Sequence, residues 1–245
     1  MPTPEKGDLT PYHAFHTTRW SMVLSVDESS ESGQDALAFL CRTYWYPLYA
    51  YVRRTGQSHH DAQDLTQGFF ARLLEKKYLG IVSQEKGKFR SFLLCALKNY
   101  MTCEWRKSNT LKRGAAFTSV SMDEAKAERR YDRELTDELT PEALYDRSWA
   151  MALLDRTMTE LETTYSKDGK EELFAGLRPY LIDEQEQRPY ADTAKLLGIS
   201  VSAVAVATHR MRKGFAVALR AEISETVADP SLAEEELRAL FSSFS

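Results

Sequence analysis

Cysteine is scarce in this chain, and the scarcity excludes two readings. Cys41, Cys95 and Cys103 are the only three in 245 residues, too few and too spread for a disulfide framework or a zinc site. Each falls in a helical pattern, so reduced thiols, buried or half-buried, are expected. The five histidines show no metal-binding spacing either. No apolar run approaches the roughly 18 residues that span a bilayer, and the polar N-terminus lacks a signal-peptide core. A cytoplasmic protein with no membrane partner is therefore expected. Glycine-rich phosphate loops, metal clusters and nucleophile–base pairs in a catalytic context are missing, which points away from an enzyme and from any cofactor. Long strand-like alternation is absent as well. What is there is 43% hydrophobic and 28% charged, ordinary for a globular protein and enough for one large or two small domains.

The formal net charge of −4 conceals a segregation. From Gln84 to Gly114 eight Lys/Arg stand against two acids, +6 in all; from Ser121 to Asp146 four stand against nine, −5; from Glu222 to Ser245 one stands against six, again −5. Even mixing would serve solubility alone. Alternating basic and acidic blocks predict that some surfaces meet phosphate and that others must not.

Apolar spacing assigns the chain to the all-α class. Leu37, Leu40, Tyr44, Leu48 and Tyr51 recur three and four apart and predict a helix from Gln34 to Arg54, which Pro47 should kink or divide. After a Gly56-Gln-Ser turn, Ala62, Leu65, Phe69 and Leu73 mark a helix from His59 to Lys77, whose other face shows Asp64, Gln67 and Gly68. Tyr78 to Lys88 reads as a loop. A third helix, Phe89 to Lys107, buries Phe92, Leu93, Ala96, Leu97, Tyr100 and Met101. Residues 115–147 carry many charges and few large apolar side chains, the composition of a flexible or frayed-helical linker. Pro141 is a candidate start for the next helix. Two helical patterns run from Ser148 towards a C-terminal block ending near Glu225, and a short acidic helix is expected over Leu232 to Phe244. The expected architecture is an N-terminal arm (1–33), two helical domains (34–114 and 148–225) joined by an acidic linker (115–147), and an acidic extension (226–245).

Residues 189–213 are the most specific stretch. Pro189 suits a first helical turn, Gly198 sits where a helix stop needs a left-handed backbone, and Ser200 offers its hydroxyl as the next N-cap. Short helix, three-residue turn, second helix is the layout of a helix-turn-helix DNA reader. Val204, Thr208 and Met211 repeat at i, i+4 and i+7 and should face inward, with Ala194 and Leu197 opposite. Ser202, Ala205, Val206, His209, Arg210 and Lys213 fall outside. Four Lys/Arg and no acid lie between His209 and Arg220, a face suited to phosphate. The bland alternative is a helical hairpin with a basic, solvated edge.

With Asp61-Ala-Gln-Asp-Leu-Thr-Gln-Gly-Phe-Phe70, Phe89-Arg-Ser-Phe-Leu-Leu-Cys-Ala-Leu-Lys-Asn-Tyr100 and Thr208-His-Arg-Met-Arg-Lys213 in this order, the chain resembles the extracytoplasmic-function sigma factors of bacterial RNA polymerase. The likeness covers roughly residues 34–110 and 148–222. It implies a protein that binds the polymerase core and directs promoter recognition and strand opening, with no catalysis of its own.

The resemblance also implies residue roles. Asp64, Gln67, Phe70 and Leu74 match positions that dock on the clamp helices of the β′ subunit; Gly68 stands where relatives often carry an acid. The 78–88 loop and the third helix match the reader of the opened −10 element. There Asn99 would meet a base edge, and Lys86, Lys88, Arg90, Lys98 and Arg106 would hold phosphates. Phe89, Phe92, Tyr100 and Trp105 read by spacing as core before stacking. The C-terminal pair matches the −35 reader, with Ser202, Val206, His209 and Arg210 towards bases and Arg212 and Lys213 towards the backbone. Implied partners are promoter DNA, the polymerase β′ clamp helices and β flap, and an anti-sigma factor. Ala205 and Gly214 replace cations common among relatives, so isolated binding to duplex should be weak. Two other readings stay open: a stand-alone dimeric helix-turn-helix regulator, and a sigma-like adaptor that starts no transcript.

Overall fold

The structure is a computed structural model that describes residues 31–74, 88–108, 124–134, 139–182, 188–227 and 229–244. Among these residues all regular structure is helical, apart from one isolated antiparallel bridge between Lys88 and Val227. The helices are α1 (Glu31–Arg54), α2 (His59–Leu74), α3 (Phe89–Ser108), α4 (Glu124–Glu134), α5 (Pro141–Lys167), α6 (Glu171–Leu177), α7 (Pro179–Ile182), α8 (Tyr190–Leu197), α9 (Val201–Ser224) and α10 (Ala233–Ser242), the last preceded by a 3₁₀ turn, Pro230–Leu232. The all-α class holds for the described chain. Of the expected N-terminal arm, residues 1–30 lie outside it.

Local chemistry starts α5. Thr140 accepts the Ala143 N–H on its hydroxyl at 3.2 Å, and Pro141 follows in the first turn, where its missing N–H would be unpaired anyway. The helix then runs 27 residues, about 40 Å at the usual rise. Its first half buries Leu144, Tyr145, Trp149 and Leu153 in one cluster with Tyr44, Leu48, Tyr49 and Val52 of α1. Fully burying each large side chain stabilises the fold by roughly 1.5–3 kcal/mol. That sum explains why Pro47 does not divide α1 as expected: Tyr44 and Leu48 on either side of it are fully buried, which offsets the ~3 kcal/mol of an interior proline.

A second cluster forms from Leu161 of α5, Phe174 and Leu177 of α6, Tyr180, Ala194, and Val204 and Met211 of α9. Helices α5 and α9 each serve both clusters, because α9 returns Leu219 and Ile223 to the first. Arg156 of α5 and the buried Glu222 of α9 pair at 2.8 Å between them. The domain boundary expected at residues 147/148 therefore falls inside α5. The acidic linker is also corrected wherever it is described: α4 buries Ala127 and Tyr131, and residues 141–147 are the first turns of α5. Few apolar residues suffice there because they share one face, four apart on α4. Residues 115–123 and 135–138 of that linker lie outside the described residues.

One carboxylate holds α4 in place. Glu128 accepts from Arg53 at 2.7 and 3.2 Å and from the Tyr49 hydroxyl, and lies 3.2 Å from His59 Nδ1. Arg53 also lies over the Tyr131 ring at 4.8 Å. Burial pushes the Glu128 carboxyl up, but Arg53 and Tyr49 together hold it below the usual carboxylate range. A lowered folded-state pKa means stability that is present above the unfolded value of about 4.3 and lost as pH falls through the folded one. Glu128→Gln should lower the melting temperature at neutral pH. The gap from the parent should close as pH drops below about 4, and a gap unchanged by pH would refute the role of the charge.

Candidate nucleic-acid interface

The chain bends by 99° between α8 and α9 across a three-residue break. Gly198 makes the bend with φ 66° and ψ 26°, a left-handed conformation that a Cβ disfavours. The Ile199 N–H closes α8 by donating to the Ala194 carbonyl at 3.1 Å, and Ser200 caps α9 by accepting the Ala203 N–H at 3.1 Å. Pro189 stands one residue ahead of α8, in the N-cap position. Val204, Thr208 and Met211 are buried, while Ser202, Val206, His209, Arg210 and Lys213 are exposed in one outward file. The inward set matches the spacing read from the sequence, and so does the outward set except for Ala205, which is half-buried.

Arg212 departs from its expected role. Its guanidinium donates to the Tyr180 carbonyl at 3.0 and 3.3 Å, and the Tyr180 hydroxyl in turn donates to the Arg188 carbonyl at 2.8 Å and meets the Thr193 hydroxyl at 2.7 Å. Arg212 thus braces α7, α8 and α9. A groove of ≈ 560 Å³ beside the outward file is lined by Arg210 and also by Lys170, which pairs with Asp168 of the same groove at 2.9 Å. The sequence carried a faint signal for it: Gly169, with φ 67°, turns the chain so that Lys170 follows α5 closely.

On α3 the expected phosphate ligands fare differently. Lys86 lies outside the described residues. Lys88 pairs with Glu235 at 2.8 Å and Glu236 at 3.1 Å. Arg90, only 12% exposed, bonds Glu236 and Asp146 and lies over the Trp149 ring at 4.8 Å. Burial disfavours its charge, and the two carboxylates more than offset that, holding the guanidinium above its ordinary range. Arg90 is thus a structural cation, a correction that counts of charge along the chain could not supply. Lys98 pairs with Glu142 at 2.7 Å on the surface. Asn99, Thr102 and Arg106 are exposed. Phe89 is buried and Phe92 and Tyr100 half-buried, as spacing predicts, but Trp105 is 66% exposed and is no core residue.

On α2, Ser58 caps the helix by accepting the Asp61 N–H at 3.1 Å. Asp64 is exposed and Gln67 half-buried. Phe70 is corrected: at 4% exposed it packs edge-on to Phe69, centroids 5.9 Å apart, inside the core. The side chain of Leu74 lies outside the described residues. Gly68 has a packing reason, since a Cβ there would collide with the Tyr100 hydroxyl of α3.

Among the described residues, no group of three or more His, Cys, Asp or Glu is arranged to hold a metal ion. No single described helix is long and apolar enough to cross a membrane. No protein-family model, curated protein or solved structure matches the chain. Two substitutions separate the buried from the surface cation. Arg90→Met, which leaves buried Glu236 undercompensated, should cost about 3–5 kcal/mol in urea unfolding. Lys98→Met should cost less than about 1 kcal/mol.

Proposed function

We propose that this chain is a sigma factor that joins a bacterial RNA polymerase core in the cytoplasm and directs promoter recognition and strand opening. The observation that carries the reading is the outward file Ser202, Val206, His209, Arg210 and Lys213 on a helix capped and turned 99° from its predecessor. A helix with side chains is about 10–12 Å across and suits a major groove about 12 Å wide. In this reading α8 and α9 are a helix-turn-helix for the duplex −35 element, with Lys213 and Lys170 towards phosphates. The clusters described above are the cores of two domains that share α5 and α9.

Asn99, Thr102 and Arg106, exposed on α3 beside Trp105, are the contacts for opened −10 DNA. Lys98 and Lys86 belong to the same surface. Asp64 and Gln67 dock on the β′ clamp helices, with Leu74 alongside. A carboxylate and an amide on one helix face suit helix-to-helix docking.

Reconstitution with purified core polymerase tests this. The parent chain should co-elute with core and start RNA chains from a subset of templates. Asp64→Arg should lose co-elution with its helical content intact, and Arg210→Ala should cost about 1–3 kcal/mol of −35 recognition. A parent chain that neither binds core nor yields a transcript from any template overturns the reading.

A further inference from the structure

The acidic C-terminal segment lies on the start of α3, at Lys88 and Arg90. Glu235 and Glu236 take the Lys88 ammonium, and Glu236 takes Arg90 as well. The backbone joins in: the Phe89 N–H donates to the Thr226 carbonyl at 3.2 Å, and Lys88 bridges Val227. Val227, Glu236 and Leu240 are buried, so this segment is docked and not merely adjacent. Glu234, Glu235 and Glu236 fill the first turn of α10, where the positive end of the helix dipole favours them.

Carboxylate and phosphate satisfy ammonium and guanidinium groups in the same way, by negative charge and accepted hydrogen bonds. We propose that α10 is a built-in competitor for a polyanion. In the free chain its carboxylates occupy the cations at the start of α3, and nucleic-acid phosphate gains Lys88 only by displacing Glu235. Naming the polyanion as promoter DNA rests on the sigma-factor reading; the competition itself does not.

The two cations are held unequally. Arg90 has Asp146 and the Trp149 ring besides Glu236, which makes it the anchor. Lys88 is 20% exposed and its partner Glu235 59% exposed, so that pair is the part phosphate can contest. A pair this exposed is weak, which makes the competition at Lys88 reversible while α10 stays docked.

Point substitutions in the full-length chain test the proposal, with a short fluorescein-labelled single-stranded oligodeoxynucleotide as probe and anisotropy read across a salt series. Glu235→Gln should bind about threefold tighter, with the log–log salt slope steeper by about 0.7, the mark of one added phosphate contact on a single strand. Asp132→Asn, which removes the same charge from an exposed site on α4, should change little. In the double variant Lys88→Gln/Glu235→Gln the gain should vanish. If Asp132→Asn matches Glu235→Gln, or if the gain survives Lys88→Gln, the competitor role falls. Equal binding by Glu235→Gln and parent, with transcripts still formed by the parent and core enzyme, removes the competitor and leaves the sigma-factor reading. Tighter binding by Glu235→Gln with no transcript from any template does the reverse.

Discussion

The buried guanidinium of Arg90 sets a condition that several distant segments must meet together. A cation that is nearly desolvated is tolerated only when charges and hydrogen bonds around it are complete. Here Asp146 comes from α5, Glu236 from α10, and the Trp149 ring covers the cation's face. The Tyr145 hydroxyl donates to the Arg90 carbonyl at 2.9 Å, tying the backbone to the same helix. Glu236 is itself buried, so neither member of the pair is tolerable without the other. The first turn of α3, the first turns of α5 and the C-terminal helix are therefore docked as a unit.

Charge segregation along the chain acquires a different meaning in three dimensions. The basic stretch around α3 and the acidic stretches on both sides of the C-terminal block look like surfaces of opposite purpose. In the fold they meet: Lys88, Arg90 and Lys98 answer Glu235, Glu236, Asp146 and Glu142. Much of the positive field of α3 is thereby neutralised within the protein. Among the described residues, Asn99, Thr102 and Arg106 at the far end of α3 and the outward file of α9 are exposed. Under the proposed function such a chain would bind nucleic acid weakly alone and rely on a larger assembly for affinity, since phosphate contacts dominate binding and each is worth a measurable step in salt dependence.

The two long helices give the molecule its continuity. Each of α5 and α9 runs through both hydrophobic clusters, and the Arg156–Glu222 pair fixes one against the other. The end of α9 that carries Leu219 and Ile223 shares its cluster with Leu240 of α10. The outward file on α9 and the competitor on α3 are thus ends of one packed series of side chains, although packing alone does not make them energetically coupled.

Sequence alone determined whatever depends on neighbours within a turn or two of helix. The Gly198 stop, the Ser200 cap, the helix start at Pro141, the inward spacing of Val204, Thr208 and Met211, and the helix after Pro230 are all local chemistry, and all were legible. Tertiary structure decided what depends on residues far apart in the chain. Phe70, which the resemblance makes a docking residue, is covered because other elements close over α2. Residues 124–134 have linker composition, yet Glu128 finds Arg53 and Tyr49, and Tyr131 finds the core. Gly68 is explained only by the Tyr100 hydroxyl above it. Arg90 looks like a phosphate ligand until Glu236, 146 residues away, folds onto it. Helix periodicity and caps are set by bonds that span three or four residues, whereas burial and charge pairing are set by whichever distant surfaces the packed chain brings together.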